Sequence, residues 1–73
     1  MQNIQLNGIY RHYKGNQYKV LHIARHTETE ELLVVYQALY GEAQIWVRPL
    51  DMFLETVTLA DGSIVPRFAL INE

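Results

Sequence analysis

Three histidines, five tyrosines, a single tryptophan and no cysteine bound the chemistry open to this chain. Without cysteine there is no disulfide, no thiolate nucleophile and no cysteine zinc site. His22 and His26 are four apart, which on a helix would be ligand spacing. On an extended strand the same spacing is roughly 13 Å, too far to share one ion. His12 falls on the opposite strand face from His22, so no metal site is expected. Ser63 sits in a predicted turn with no acid–base partner beside it. Gly8, Gly15, Gly41 and Gly62 are scattered turn glycines rather than a phosphate loop, and no cofactor is implied. One catalytic reading stays open: a small enzyme or metabolite-binding protein using His12, His26 and Glu28, in which Glu28 orients the His26 imidazole. The simpler reading of "HTETEE" is a capped, solvated loop whose Thr27 hydroxyl binds backbone.

The stronger candidate is aromatic and basic. Tyr10, His12, Tyr36, Trp46 and Arg48 have the character of a ligand-binding face. Small β domains bind single-stranded nucleic acid, nucleotides or peptides through aromatics that stack and arginines that pair with anions. Each stacked base contributes roughly 1–3 kcal/mol. A non-catalytic binding module using this face is the functional expectation. The structural alternative is that Trp46 and the tyrosines close a second small core under the turn at Pro49 to Phe53. A third reading is self-association through the same face.

These residues must be positioned by strands. The chain reads as short strands cut by turns. Strand-forming stretches are Gly8 to Lys14, Gln17 to about His26, Glu31 to Tyr40, Gln44 to Arg48, Leu54 to Leu59 and Ile64 to Ile71. Gly15-Asn16 reads as a two-residue type II′ hairpin loop, and "ADGS" carries an Asp-Gly turn signal. Pro49 suits the start of one helical turn through Phe53, and Pro66 argues for an edge or a bulge. "ELLVVYQALYGEA" satisfies helix propensity, but clustered Val34, Val35 and Tyr36 among strand neighbours favour strand. The expected fold is all-β: a small SH3-like antiparallel barrel of five or six short strands with one helical turn near residues 49–53.

Alternation along the strands then sorts the faces. Pairing about Gly15-Asn16 sets Tyr13 opposite Tyr18 and Ile9 opposite His22. The Thr27–Glu30 loop sets His22 opposite Val35, and the turn at Gly41–Ala43 sets Tyr36 opposite Arg48. One face collects Ile9, Val20, Leu33, Val35, Leu39, Ile45 and Val47 and is the expected core. The other collects Tyr10, His12, Leu21, Ile23, Tyr36, Trp46 and Arg48. A one-residue slip in any loop swaps a strand's faces.

At 73 residues the chain makes a single domain, 1–73, with a thin core. It is 49% hydrophobic and 19% charged, a folded composition. The N-terminal "MQNIQLNG" lacks the pattern of a secretory leader, and no apolar run reaches the roughly 18 residues of a membrane helix. With no disulfides to staple so small a domain, a reducing cytoplasm is the expected compartment. The formal net charge of −2 gives no global basic footprint for nucleic acid, so a basic patch would have to be local.

The chain resembles an uncharacterised bacterial family, domain-of-unknown-function family 1653. The resemblance covers nearly the whole chain. It rests on "GIYRHYKG" (Gly8 to Gly15), "YKV" (Tyr18 to Val20), "ARHTET" (Ala24 to Thr29), "LVVYQALY" (Leu33 to Tyr40), "WVRP" (Trp46 to Pro49), "MF" (Met52-Phe53) and "PRF" (Pro66 to Phe68). The family pattern often has serine where this chain has Thr27, which keeps the hydroxyl. The resemblance implies a compact, stand-alone β domain in a bacterial cytoplasm. It implies no activity, and no catalytic residue is carried over.

Overall fold

The computed structural model describes residues 4–71. Residues 1–3 and 72–73 of the expected domain, and with them part of the N-terminal stretch read for a leader, lie outside the described residues. Seven strands and one helical turn follow in order: β1 (Ile9–His12), β2 (Gln17–Arg25), β3 (Leu32–Ala38), β4 (Ile45–Pro49), α1 (Leu50–Phe53), β5 (Thr56–Thr58), β6 (Ile64–Pro66) and β7 (Phe68–Leu70). The fold is all-β, as expected. The segment with helix propensity is strand β3, and the helical turn follows Pro49. No helix among the described residues is long and apolar enough to cross a membrane.

The strands form a five-stranded antiparallel sheet, β4-β3-β2-β1-β7, and a two-stranded ribbon, β5-β6. No ladder among the described residues joins the sheet's two edges. The sheet nevertheless curls. In a flat sheet β4 and β7 would stand roughly 19 Å apart, yet the Arg48 guanidinium of β4 lies 5.7 Å from the ring centroid of Phe68 on β7. The result is a half-closed barrel whose concave side is filled by side chains. The expected last strand is two strands. Pro66 ends β6, and Arg67 turns the corner into β7, which pairs with β1 instead of the ribbon. Arg67 is held there by Glu55, whose carbonyl accepts its backbone N–H at 2.9 Å and whose carboxylate meets its guanidinium at 3.0 Å.

Turn chemistry sets the register. The β1–β2 turn is centred on Tyr13-Lys14 rather than on Gly15-Asn16. His12 accepts from the Gly15 N–H and donates to the Asn16 carbonyl. Gly15 takes φ +113° as the closing residue of a three-residue loop. The β5–β6 turn repeats the pattern with Leu59, Gly62 and Ser63, and Gly62 has φ +91°. This turn moves the β1 register by an odd number of residues: Tyr10, not Tyr13, opposes Tyr18. A bulge between Val20 and His22 leaves Leu21 unpaired, so Val20 opposes Tyr36 while His22 opposes Val35. Tyr18 and Val20 therefore face the concave side before the bulge, and Ile23 faces it after.

These shifts correct the expected core. It consists of Tyr10, Val20, Val34, Tyr36, Phe53 and Phe68, with Ile4, Tyr18, Ile23 and Leu50 packed against it. Of the residues expected there, only Val20 is buried; Ile45 and Val47 are 59% and 60% exposed. The face read as aromatic and amphipathic is the concave, buried one. Phe53 is fully buried and stacks on Phe68 at 4.1 Å with parallel planes. Tyr10 and Tyr36 approach Phe53 edge-on at 5.4 and 5.6 Å. Tyr18 and Tyr36 approach Phe68 edge-on. Such ring pairs add about 0.5–1.5 kcal/mol each beyond the area they bury.

Removing the shared ring should be severe. Phe53→Ala is expected to cost about 3–5 kcal/mol, most of what a domain this small has to lose. Tyr36→Ala should unfold the domain for the same reason. Urea midpoints read by circular dichroism test both; a shift under about 1 kcal/mol for Phe53→Ala would show that the stack is not the centre of the core.

Candidate functional site

The concave side is packed at its centre and accessible at one rim. Strand β4 builds much of that rim. Its Trp46 and Arg48 oppose the core residues Tyr36 and Val34, so both side chains point to the concave side. Being at the sheet edge they stay accessible: Trp46 is 49% exposed and Arg48 is half-buried. The Arg48 Nε–H reaches the Tyr36 hydroxyl at 3.4 Å, a long bond that aims the guanidinium over Phe68. His12 also reaches Phe68. It opposes Phe68 across β1–β7, and the two rings meet edge-on at 5.0 Å.

Positive charge gathers here despite the chain's net −2. Burial holds the His12 imidazole below its ordinary value, and the positive charges of Arg67, Arg48 and Lys14 depress it further. The Lys14 N–H donates to His12 Nδ1 at 3.2 Å, so that nitrogen is an acceptor and the ring is neutral. Arg67 is paired with Glu55, whereas Arg48 forms no ion pair among the described residues. Tyr18 packs edge-on against Tyr36 at 5.3 Å, and its hydroxyl shares a 2.9 Å hydrogen bond with that of Tyr40. Burial, then that bond, push the Tyr18 phenol up to about 12, so it stays protonated and neutral. A cleft of about 180 Å³ opens beside it, with Trp46 and Tyr40 as its aromatic walls and Gln44 and Glu42 as its polar ones.

The five expected contact residues thus divide. Trp46, Arg48 and His12 reach the accessible rim. Tyr10 and Tyr36, each 6% exposed, are core residues. The Tyr10 hydroxyl accepts the Gln5 N–H at 3.0 Å, and the Tyr36 hydroxyl positions Arg48. Phe68, Tyr18 and Tyr40 belong to the same cluster and were not singled out from the sequence. Their link to it is the β1–β7 ladder and the shifted β1–β2 register, neither of which local patterning reveals.

The catalytic alternative is not assembled. His26 follows the end of β2 and His12 sits beside Asn16 before its start, so the length of β2, roughly 26 Å of extended strand, lies between them. His26 Nδ1 accepts the N–H groups of Glu28 and Thr29 at 3.1 and 3.3 Å, the work of a loop cap. The same nitrogen lies 3.5 Å from the Glu28 carboxylate, within the loop it caps. Ser63 lies in the ribbon turn, where its N–H binds the Asp61 carboxylate at 2.9 Å.

A family model described as "Protein of unknown function (DUF1653)" matches residues 8–70. A crystal structure of a DUF1653 protein from Bordetella bronchiseptica is 44% identical in sequence and superposes with a TM-score of 0.84, covering 97% of this chain and 91% of that one. No curated protein matches.

The electrostatics of the rim carry a sign. A histidine with a depressed folded-state value binds its proton more readily when unfolded. Its contribution to stability is therefore complete above the unfolded value of about 6.5 and is lost as pH falls below it. Thermal melts of the wild type should decline below that pH, and His12→Gln should remove part of the decline. In a histidine NMR titration, Arg67→Gln should raise the His12 midpoint part of the way, with burial accounting for the remainder. An unmoved midpoint would show that Arg67 does not act on the ring.

Proposed function

This chain belongs to the DUF1653 family, and we propose that it is a non-catalytic binding module for an anionic ligand carrying a planar ring, a nucleotide unit of single-stranded nucleic acid. The observation that carries this reading is Arg48: a guanidinium without an ion-pair partner among the described residues, held by Tyr36 over Phe68, two positions along the strand from a half-exposed tryptophan. Residues two apart on a strand share a face about 6.6 Å apart, a spacing that lets a ring lie on Trp46 while a phosphate meets Arg48. Arginine offers a planar fork of donors that matches phosphate oxygens. Lys14 adds positive potential at His12, which packs edge-on against Phe68. Tyr18 and Tyr40 supply neutral hydroxyls for base or ribose edges. The buried tyrosines serve as supports rather than contacts.

Trp46 is the chain's single tryptophan, so all of the chain's tryptophan fluorescence comes from this rim. Titration with short mixed-sequence oligonucleotides and with mononucleotides should quench it and move amide signals around His12, Trp46 and Arg48. Trp46→Ala should weaken binding by the loss of one stacked base, about 1–3 kcal/mol, with the melting temperature unchanged. Arg48→Gln should weaken binding and flatten its salt dependence. Unchanged fluorescence and amide signals at saturating oligonucleotide would remove nucleic acid as the partner, and binding unaffected by both substitutions would place the ligand elsewhere.

A further inference from the structure

Strand β4 forms one edge of the sheet, and its Arg48 and Pro49 guard only the C-terminal end of that edge. Natural edge strands are commonly blunted by charge, proline or a bulge. The stretch Ile45-Trp46-Val47 carries none of these, and its three side chains are 59%, 49% and 60% exposed. The ladder to β3 fixes which way its backbone points. The Ala38 N–H bonds the Gln44 carbonyl at 2.9 Å, so Ala38 and Gln44 are a hydrogen-bonded pair. Pairs alternate along an antiparallel ladder. Gln44, Trp46 and Arg48 therefore bond inward to β3, while Ile45, Val47 and Pro49 aim their backbone groups away from it. Pro49, which has no N–H, occupies a position where none is needed by β3. The outward N–H and C=O groups of Ile45 and Val47 remain open to a further strand.

We propose that this edge pairs with the same edge of a second copy, antiparallel about a two-fold axis at Trp46, to join two sheets into one. The stretch is self-complementary in that register. Ile45 exchanges both backbone hydrogen bonds with Val47 of the partner subunit, and Val47 does so with Ile45 of the partner subunit. Their aliphatic side chains meet on the convex side. Trp46 meets Trp46 of the partner subunit at a non-hydrogen-bonded position, where facing side chains come closest, and aromatic pairs across strands are favourable. Arg48 opposes the partner's Gln44, a neutral polar side chain, so no like charges approach in this register. The positive φ of Ala43 bends the chain away at one end and Pro49 stops donation at the other, which limits the pairing to this stretch. A partner strand of unrelated sequence would meet the backbone groups but not this symmetric set of side chains. The two concave rims would then lie side by side across the axis.

The chain contains no cysteine, so a single introduced cysteine can form a disulfide only between copies. At the axis, facing Cα atoms would be about 4.5–5.5 Å apart, within disulfide range. Trp46→Cys should link rapidly into a covalent dimer under mild oxidation, and Ile64→Cys, more exposed but on β6, should not. Sedimentation velocity of the wild type should show a reversible monomer–dimer equilibrium. Val47→Pro removes an outward N–H that β3 does not use and should give a folded monomer by circular dichroism. A wild type monomeric at millimolar concentration overturns the proposal. So does a Trp46→Cys variant that links no faster than Ile64→Cys, or a dimer that survives Val47→Pro. Neither readout uses a ligand, so the result is independent of the nucleotide reading.

Discussion

Much of this structure depends on one contact, the stack of Phe53 on Phe68. The two rings come from elements that share no ladder: Phe53 ends the helical turn α1, and Phe68 opens β7. Their contact ties the chain's crossing segment to the sheet's far edge. Around the pair, Tyr10, Tyr18, Tyr36 and His12 approach edge-on from β1, β2 and β3. A sheet of five short strands has too little aliphatic surface to form a core by itself. Curling around a shared aromatic centre lets one sheet cover both sides of it. The same curl brings both Arg48 and His12 against Phe68, so the rim's character follows from how the core is filled.

The corner at Arg67 keeps that arrangement from relaxing. Pro66 cannot donate to a ladder, and the next residue leaves the ribbon for the sheet. Glu55 holds Arg67 by backbone and side chain together, and the Arg67 carbonyl accepts the Tyr13 N–H at 2.9 Å. The ribbon, the first hairpin and β7 therefore meet at one residue. A surface ion pair is usually worth under about 1 kcal/mol; here its value lies in fixing where Phe68 starts.

The strands and the helical turn were legible from alternation, Gly and Pro punctuation and β-branched clustering. Which residues face each other on β1 and the first half of β2 was not, and two local features explain why. The first hairpin places Gly15 at the closing position of a three-residue loop instead of the opening position of a two-residue one. Both are ordinary uses of glycine, and they differ by an odd step that turns β1 over. The bulge at Leu21 then changes the facing residues in the middle of β2, and nothing in "YKVLHIAR" marks it. The β2–β3 register beyond the bulge was legible, with His22 opposite Val35, because the loop at Thr27–Glu30 fixes it. The grouping of Tyr10, His12, Tyr36, Trp46 and Arg48 on one side survives, because the odd shift of the first hairpin and the one-residue bulge cancel between β1 and β3, and the β3–β4 register moves by an even step. What could not be read was that Phe53 and Phe68, distant in sequence, would land on that side and bury the two tyrosines.

This reversal separates support from contact in a way that composition cannot. An aromatic residue on a small β domain can stack on a ligand or on its own core, and its type is the same in both cases. Position in the sheet decides. Tyr36 lies on β3, with strands on both sides and Phe53 and Phe68 beneath it, so its ring is enclosed and only its hydroxyl works outward, on Arg48. Trp46 opposes Tyr36 directly but lies on the edge strand, with no neighbour beyond it. The free backbone positions and the exposed indole are consequences of the same place in the topology. A domain with so few buried residues would gain stability from covering Ile45, Trp46 and Val47. Leaving them uncovered has a stability cost, and surfaces kept at such a cost are characteristic of sites that meet another molecule.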